Sequence, residues 1–135
     1  MSPPFRTTRR VEFHDTDMAG MVHFANFFRY MESAEVEYWR SRGLSVMIRQ
    51  QEERLSFPRV SASCDFLKPA LFEDLLDIEV RVSRLGSKSV TFAFEIFKAA
   101  DVIARGQITA VCCRVAPGRA LEPIEIPPAM RERLQ

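Results

Sequence analysis

Apolar and polar residues alternate along this chain with two different periods, one typical of a helix and one typical of β-strands. From Asn26 onward the apolar residues recur at spacings of four, three and four, which places them on one helix face: Phe27, Met31, Ala34 and Tyr38. Gly43 follows this stretch, and glycine is common just beyond the end of a helix. The pattern therefore predicts one long helix from Asn26 to Gly43.

Beyond residue 59 the period becomes two, as expected for strands that bury one face. Alternating runs cover residues 60–66, 75–85 and 90–96, and a further apolar run covers 106–115. Turn-forming or strand-breaking residues separate the runs: Lys68-Pro69, Gly86 and Pro117-Gly118. We therefore predict a half-buried strand in each run.

Shorter segments complete the predicted fold. Residues 7–13 are predicted to form a first strand, 49–54 a polar connection, and Pro127-Pro128 the end of the core before a short polar tail. One helix followed by consecutive strands with short connections predicts an α+β fold, in which an antiparallel β-sheet is wrapped around one long central α-helix. A chain of 135 residues is long enough for one core, so we expect residues 1–135 to form a single domain.

Composition and charge exclude several classes of function. The chain is 47% hydrophobic and 27% charged, with a net charge of +1, which is ordinary for a globular domain. This charge gives no electrostatic reason to expect a nucleic-acid partner. The N-terminus has no apolar leader, and no apolar stretch has the length of a membrane span. We therefore expect a cytoplasmic protein with no membrane partner.

The cysteines and histidines give little reason to expect a metal site. Cys64, Cys112 and Cys113 contain no Cys-x-x-Cys spacing, and His14 and His23 are the only histidines. Neighbouring residues of a strand point to opposite faces, so the two adjacent cysteines are expected in different surroundings. We predict reduced, structural thiols and no metal.

The candidate chemistry is concentrated in residues 14–26. Two carboxylates, Asp15 and Asp17, precede Gly20, and the predicted helix follows directly. The first N–H groups of a helix have no intrahelical acceptor and attract negative charge. A carboxylate beside them is placed as a base or nucleophile next to donors for an oxyanion. The segment therefore favours attack on a carbonyl group.

The run from Asp15 to Asn26, Asp-Thr-Asp-Met-Ala-Gly-Met-Val-His-Phe-Ala-Asn, resembles the hot-dog-fold acyl-CoA thioesterases of the 4-hydroxybenzoyl-CoA thioesterase type. That family has the pattern Asp-x-Asp-x-x-Gly-hydrophobic-Val-x-x-x-Asn. The resemblance extends over residues 5–128 in strand order and length. It implies a hot-dog fold, an acyl-CoA substrate and no cofactor.

The resemblance also implies roles for individual residues. Asp17 is the family's nucleophile or general base, and the backbone N–H of Phe24 matches the oxyanion donor. His23 replaces the aromatic residue of many relatives, so it is either a catalytic side chain or a packed one. Gly20 either brings the backbone close to the substrate or only forms a turn. Asp15 is expected to hydrogen-bond the loop.

Basic residues are expected to bind the phosphates of coenzyme A. Lys88 matches a position that relatives use for this purpose, and Ser89 is its neighbour. Arg84 and Arg119 flank predicted turns. We therefore assign these four residues to substrate binding.

Three further expectations concern the helix and its neighbours. Asn26 is expected to satisfy backbone groups at the helix start. Another branch of hot-dog thioesterases carries its catalytic carboxylate on the central helix, but Glu32 and Glu35 are expected on a solvated or salt-bridged face. Aromatic residues of the first turns line either an acyl pocket or the core: Phe24, Phe27, Phe28 and Tyr30.

One helix cannot cover a whole sheet, so an open sheet edge is expected to need a partner. The resemblance implies a homodimer at minimum, with active sites across the interface, and a homotetramer as the expected assembly. Two alternatives stay open at this point. The leading hypothesis is a thioesterase that hydrolyses an acyl- or aroyl-CoA. The alternatives are a 1,4-dihydroxy-2-naphthoyl-CoA hydrolase, which is a near relative, and a noncatalytic acyl-ligand-binding hot-dog domain.

Overall fold

The computed structural model describes residues 3–50 and 53–135, and it confirms an α+β fold with one long central helix. The first half contains these elements: β1 (Phe5–Arg10), a 3₁₀ turn (Phe13–Asp15), α1 (Phe24–Ser41), β2 (Met47–Gln50), β3 (Glu53–Ser56) and β4 (Arg59–Phe66). The second half contains the others: β5 (Leu75–Leu85), β6 (Ser89–Lys98), β7 (Asp101–Val111), β8 (Cys113–Val115), β9 (Glu122–Pro123) and α2 (Pro128–Arg133).

The strands form two antiparallel sheets. The larger has the order β1-β5-β6-β7-β4, and the smaller has the order β2-β3-β8-β9. In the larger sheet, the inward positions of β5 and β6 form the floor of the core: Leu76, Ile78, Val80, Val90, Phe92, Phe94 and Ile96. Their alternation with more exposed residues confirms the period-two prediction for these two strands.

Helix α1 lies on this apolar floor. The four residues predicted to share its buried face, Phe27, Met31, Ala34 and Tyr38, are all buried. Gly106 in β7 allows the close approach of helix and sheet, because a Cβ at this position would collide with Met31 and lie 2.7 Å from the carbonyl oxygen of Ser63. The helix begins two residues earlier than predicted. It ends at the predicted place, since Gly43 has a φ of +70° just beyond it.

Several predicted boundaries are wrong. The first strand covers 5–10 instead of 7–13, because the chain turns into a 3₁₀ turn at Phe13. Much of the predicted connection 49–54 belongs to β2 and β3, whose ladder pairs with β8; residues 51 and 52 lie outside the described residues. The predicted strand 106–115 is two strands, since the chain passes from the larger sheet to the smaller at Cys112.

The C-terminal segment is not a polar tail. After Pro127 the chain forms α2, with a proline in its first turn, where no N–H is needed. Met130 and Leu134 are buried in the core. Arg131 donates to the carbonyl oxygens of Gly86 and Ser87, at 2.6 and 3.0 Å. The segment therefore closes one end of the sheet.

Strand β4 is the exception to half-burial. It lies at the edge of the larger sheet and pairs with β7. All its residues are exposed except Cys64, which is half-buried, and Val60 remains 62% exposed. The expected buried face is therefore absent, although α1 contacts both ends of the strand, through Arg59 and Phe66. A long, apolar and uncovered edge strand is a typical site for association with another chain.

The three cysteines are unpaired thiols, as predicted. Burial raises the pKa of Cys64 and of Cys112 to about 11. Cys112 and Cys113 are both buried, but only Cys112 belongs to the main hydrophobic core, so their surroundings differ as expected. In the described part of the chain, no helix is both long and apolar enough to cross a membrane.

Glu35 lies on the buried face of α1 and is fully buried. Its carboxylate accepts hydrogen bonds from Trp39 Nε1 at 2.9 Å and from Arg59 Nη2 at 2.9 Å. The expected salt bridge is therefore present, whereas the alternative of a solvated side chain is wrong. Burial raises the pKa of Glu35, and the hydrogen bond from Trp39 and the charge of Arg59 oppose that rise. The pair connects the middle of α1 to the start of β4.

We predict that Arg59→Ala lowers the free energy of unfolding by about 3–5 kcal/mol at neutral pH, because a buried carboxylate loses its counter-charge. A raised pKa in the folded state favours the protonated acid, so stability falls as the pH rises above the ordinary value of 4.5. The deficit relative to the wild type should therefore shrink as the pH is lowered toward 4.5. Urea unfolding at several pH values measures it.

Two variants are suitable controls. Arg105→Ala breaks the exposed ion pair with Glu95 (2.9 Å) and should cost about 0–1 kcal/mol. Glu35→Gln keeps an acceptor for Trp39 and removes the titrating group, so its stability should vary less with pH. A deficit in Arg59→Ala that is the same at all pH values would contradict this assignment.

Candidate active site

Residues 16–22 form a small closed loop in front of α1. An isolated antiparallel bridge joins Thr16 to Val22. Inside it, the N–H of Asp17 donates to the carbonyl oxygen of Met21 at 2.8 Å, and that of Gly20 donates to Asp17 at 3.0 Å. Gly20 has a φ of +82°, a conformation that favours glycine, and no atom lies within 4 Å of where its Cβ would be. Gly20 therefore forms the turn, and the open space beside its Cα leaves room for a ligand.

The carboxylate of Asp17 is exposed and held from one side. Its Oδ1 accepts hydrogen bonds from the N–H of Ala19 at 2.9 Å and of Met21 at 3.5 Å. Its Oδ2 accepts no hydrogen bond from the described residues. The side chain is thus oriented by backbone donors, with one oxygen free to approach a substrate.

The start of α1 supplies a free donor beside this loop. His23 is the N-cap, and its Nδ1 accepts from the N–H of Ala25 at 3.2 Å. The N–H of Asn26 donates to the carbonyl oxygen of His23. Phe24 is the first helical residue, and its N–H donates to no group within residues 3–50 and 53–135. This is the position that the resemblance assigned to an oxyanion donor.

An aromatic cluster borders the loop. Phe66, the last residue of β4, contacts three rings of α1, with centroid distances of 6.1 Å to Phe24, 5.5 Å to Phe27 and 6.4 Å to Phe28. Phe27 is buried, as a core residue would be, but Phe24 is 60% exposed. Further apolar side chains around the loop are also exposed: Phe13, Met18, Met21, Leu71 and Phe72. The surface next to Asp17 is therefore strongly apolar.

The second carboxylate, Asp15, lies behind the loop and is buried. Its carbonyl oxygen accepts from the N–H of His23 at 2.9 Å and from Asn26 Nδ2 at 2.8 Å. Asn26 therefore satisfies a backbone group, as predicted. The carboxylate of Asp15 accepts from the hydroxyl of Tyr30 at 2.8 Å. Sequence reasoning missed this contact, because a tyrosine at helical spacing looks like any core aromatic residue.

The predicted phosphate-binding residues lie at the opposite end of the sheet from Asp17. Strand β5 begins beside the loop, where Leu75 pairs with Arg10, and ends at Leu85. At about 3.3 Å per residue, this strand spans roughly 30 Å. Arg84 is near its far end, and Lys88 and Ser89 follow in the β5–β6 hairpin. Arg119 lies in the β8–β9 turn. One chain therefore brings together Asp17, Gly20, His23 and Phe24. It does not bring the predicted phosphate-binding residues to the same place.

Comparison with known proteins identifies the family of this chain. The model of the family described as the thioesterase-like superfamily matches residues 11–134, which include the whole loop and both helices. The chain belongs to the thioesterase-like superfamily. Relatives and similar structures are named as thioesterases, and the predicted hot-dog thioesterase fold and hydrolase class are both confirmed.

Relatives in this superfamily carry names with different acyl groups. The chain is 32% identical to a 1,4-dihydroxy-2-naphthoyl-CoA hydrolase of Nostoc punctiforme over 80% of this chain and 73% of that protein. It is 25% identical to the acyl-CoA thioesterase YbgC of Haemophilus influenzae over 76% of each chain. It also matches the structure of a gentisyl-coenzyme A thioesterase, with a TM-score of 0.80, 28% identity and coverage of 94% and 99%.

His23 has a visible structural role as the helix cap, and its catalytic role stays a prediction. We expect His23→Ala to lower the free energy of unfolding by about 0.5–2 kcal/mol, because the cap is lost. His23→Asn should recover most of that stability, since asparagine is a good N-cap. If capping is the whole role, the Asn variant keeps near-wild-type turnover. Thermal unfolding and a thiol-release assay measure the two effects. A stable His23→Asn variant without turnover would instead show that the imidazole takes part in the reaction.

Proposed function

We propose that this chain is an acyl-CoA thioesterase in which Asp17 carries the reaction. The observation that supports this most directly is the geometry of its carboxylate. One oxygen is held by the N–H groups of Ala19 and Met21, and the other is unpaired among the described residues. It lies in a loop that ends at the first turn of α1. A free carboxylate oxygen beside a free N–H donor is what attack on a thioester carbonyl requires.

The N–H of Phe24 is the proposed oxyanion donor. As the tetrahedral intermediate forms, negative charge develops on the thioester oxygen, and the positive end of the α1 dipole stabilises it there. Gly20 keeps the neighbouring backbone free of a side chain. The exposed aromatic cluster of Phe24 and Phe66 supplies an apolar wall beside the reacting groups.

Two chemical routes fit this arrangement. In the first, the free oxygen of Asp17 attacks the carbonyl carbon, the C–S bond breaks, and water then hydrolyses the mixed anhydride. In the second, Asp17 takes a proton from water as the water attacks, and the thiolate leaves and is protonated. Rapid quenching followed by mass spectrometry distinguishes them, because only the first route adds the acyl mass to the protein.

We expect Asp17→Asn to lower thioester turnover by at least about 10²-fold, because the amide is neither a base nor a comparable nucleophile. Asp17→Glu should also be poor, since one added methylene misplaces the attacking oxygen. Thiol release from acyl-CoA measures both effects, and thermal unfolding shows whether each variant is folded.

Asp101→Asn is the matched control. It makes the same charge change at an exposed carboxylate whose ion pair with Lys68 is weak, at 3.6 Å. Its turnover should stay near that of the wild type. Near-wild-type turnover in Asp17→Asn would remove Asp17 from the mechanism and favour the alternative of a noncatalytic acyl-binding domain.

The aromatic cluster favours an acyl group that contains a ring. Phe66 packs edge-on against Phe24 and Phe28 in the first turns of α1, directly after the loop that carries Asp17, and such rings pack well against an aroyl group. The relative from Nostoc punctiforme is named for a dihydroxynaphthoyl group. A panel of aroyl and aliphatic acyl-CoAs, including 1,4-dihydroxy-2-naphthoyl-CoA, therefore identifies the preferred substrate by its kcat/KM.

We also propose that the active unit is a homodimer formed through β4. The strand is exposed along its length, and its apolar residues Val60 and Phe66 lie at the uncovered edge. A twofold axis through its middle aligns β4 antiparallel to the same strand of a second copy. Phe66, at the Asp17 end, then lies beside Arg59 of the second copy. Within the sheet of that second copy, Arg59 pairs with Ala110 of β7, and Ala110 pairs with Val90 at the start of β6. The β5–β6 hairpin is therefore at the same end of the sheet as Arg59.

This arrangement explains how distant residues act on one substrate. The far end of the second sheet, with its β5–β6 hairpin, comes next to Asp17 of the first copy. Lys88, Ser89 and Arg84 of the second copy are then available for the phosphates of coenzyme A. Arg119 lies in a neighbouring turn and is assigned to the same group. The homotetramer and the cytoplasmic location stay predictions from the sequence.

A mixing experiment tests whether each site uses two chains. Lys88→Ala alone should raise KM for the CoA ester and leave kcat nearly unchanged. When it is refolded with equimolar Asp17→Asn and assayed well below KM, half the dimers are mixed, and each mixed dimer has one intact site. About a quarter of wild-type activity should return.

The control is refolding of Asp17→Asn with the double variant Asp17→Asn/Lys88→Ala, which provides no intact site in any combination. If the two groups act from the same chain, the first mixture gives no more activity than its two components measured separately. Light scattering of the wild type checks the assembly, and a fully active monomer would contradict it.

A further inference from the structure

Asp15 is one of two charged residues that are buried in the described chain, with only 5% of its surface exposed. Its Oδ2 accepts from the hydroxyl of Tyr30 at 2.8 Å and from the N–H of Glu12 at 2.9 Å. The other oxygen, Oδ1, lies 3.6 Å from Nε2 of the exposed His14, which forms an ion pair with it only when the imidazole is protonated. The mechanism proposed above does not use this carboxylate.

Asp15 connects the loop that carries Asp17 to helix α1. Its carbonyl oxygen accepts from the N–H of His23 and from Asn26, at the helix start. Its carboxylate reaches the second turn of the helix through Tyr30. Residues 16–22 begin and end directly beside these contacts, because Thr16 pairs with Val22. The loop is also held elsewhere, since the N–H of Val22 donates to the carbonyl oxygen of Ala70 at 2.8 Å and Met21 forms a bridge with Leu71. Asp15 is the residue whose side chain ties the loop to the interior of α1.

Tyr30 is the fixed end of this connection. Its side chain is 1% exposed, its ring packs edge-on against Phe27, and the guanidinium of Arg9 lies over it at 5.4 Å. Burial, followed by the hydrogen bond to Asp15, raises the pKa of Tyr30 well above its ordinary value of 10. The phenol therefore remains a hydrogen-bond donor at any pH suitable for an assay.

Tyr30 belongs to the same rigid helix as the N–H of Phe24. Six residues separate them, which is about 9 Å along the axis. The phenol is thus at a fixed distance from the proposed oxyanion donor, while Asp15 is two residues from the proposed attacking carboxylate. Both of those groups must meet one carbonyl carbon, and a misplacement of 1 Å costs about 10²-fold in rate.

We propose that Tyr30 is a positioning residue for the thioesterase reaction, which sets the distance between Asp17 and the start of α1 through its hydrogen bond to Asp15. This inference depends on the proposed role of Asp17. Tyr30 does not touch the substrate, so its removal changes the rate of the chemical step and leaves substrate binding intact.

The test is Tyr30→Phe, with Tyr38→Phe as the matched control. Tyr38 is equally buried, lies two turns further along the same helix, and packs against Phe5 and Phe92 far from the loop. We expect Tyr30→Phe to lower kcat by about 10- to 100-fold with KM changed by less than about 2-fold. Tyr38→Phe should keep kcat within about 2-fold of the wild type, although it also loses a buried hydroxyl.

A double-mutant cycle with Asp15→Ala, which removes the acceptor of the Tyr30 hydroxyl, tests the route of the effect. If both residues act through one hydrogen bond, Asp15→Ala/Tyr30→Phe should be no slower than the slower single variant. Should Tyr30→Phe not fold at the assay temperature, Asp15→Ala alone should show the same fall in kcat at constant KM.

The outcomes separate this inference from the proposed function. Near-wild-type turnover of Asp17→Asn, measured in parallel, would overturn the proposed function itself. If turnover depends on Asp17 while Tyr30→Phe and Tyr38→Phe have equal kcat values, only the role of Tyr30 is overturned. Fully additive losses in the cycle, or a rise in KM with kcat unchanged, would overturn it as well.

Discussion

Burial of one face of α1 against the larger sheet determines where every other feature of this molecule lies. Four apolar residues of the helix rest on the inward side chains of β5 and β6, and Gly106 allows the helix to approach closely. With its axis fixed, the helix presents its N-terminus at one end of the sheet. The N–H of Phe24 has no acceptor there within the described residues, so this end is suited to an anion. The loop that carries Asp17 closes over the same end.

The same packing leaves part of the sheet uncovered. One helix covers the middle strands and leaves the edge strand β4 exposed, with apolar residues at the surface. The second charged residue of the core, Glu35, connects α1 to the start of this edge through Arg59. In the proposed dimer, the exposed edge has a function, because it unites the Asp17 end of one sheet with the basic hairpin of another. The edge strand that is exposed in the monomer is then the surface that completes the site in the dimer.

Two charged residues are buried among the described residues, and both are carboxylates that accept hydrogen bonds. Asp15 and Glu35 are both on or against α1, and each is satisfied by two donors, one of which is an aromatic side chain. Such groups are costly to bury and are tolerated only when they are fully hydrogen-bonded. One lies behind the candidate catalytic loop and the other behind the edge strand. These two buried carboxylates therefore lie behind the two segments that the proposed function requires to be held in place, the loop of Asp17 and the edge strand β4.

By itself, the sequence determined the helix face, the alternation of β5 and β6, and the cluster of Asp17, Gly20, His23 and Phe24. These features depend on residues close together in the chain, so local periodicity and a contiguous motif are sufficient to find them. The sequence did not reveal β2 and β3, the division of 106–115 into two strands, or α2. Those depend on pairing partners and packing surfaces far away in the chain. Only the tertiary structure decided that Asp15 bonds Tyr30, that β4 is an exposed edge, and that Lys88 lies beyond the far end of β5 from Asp17. Each of these depends on a distance between remote segments, which no local pattern of residues encodes.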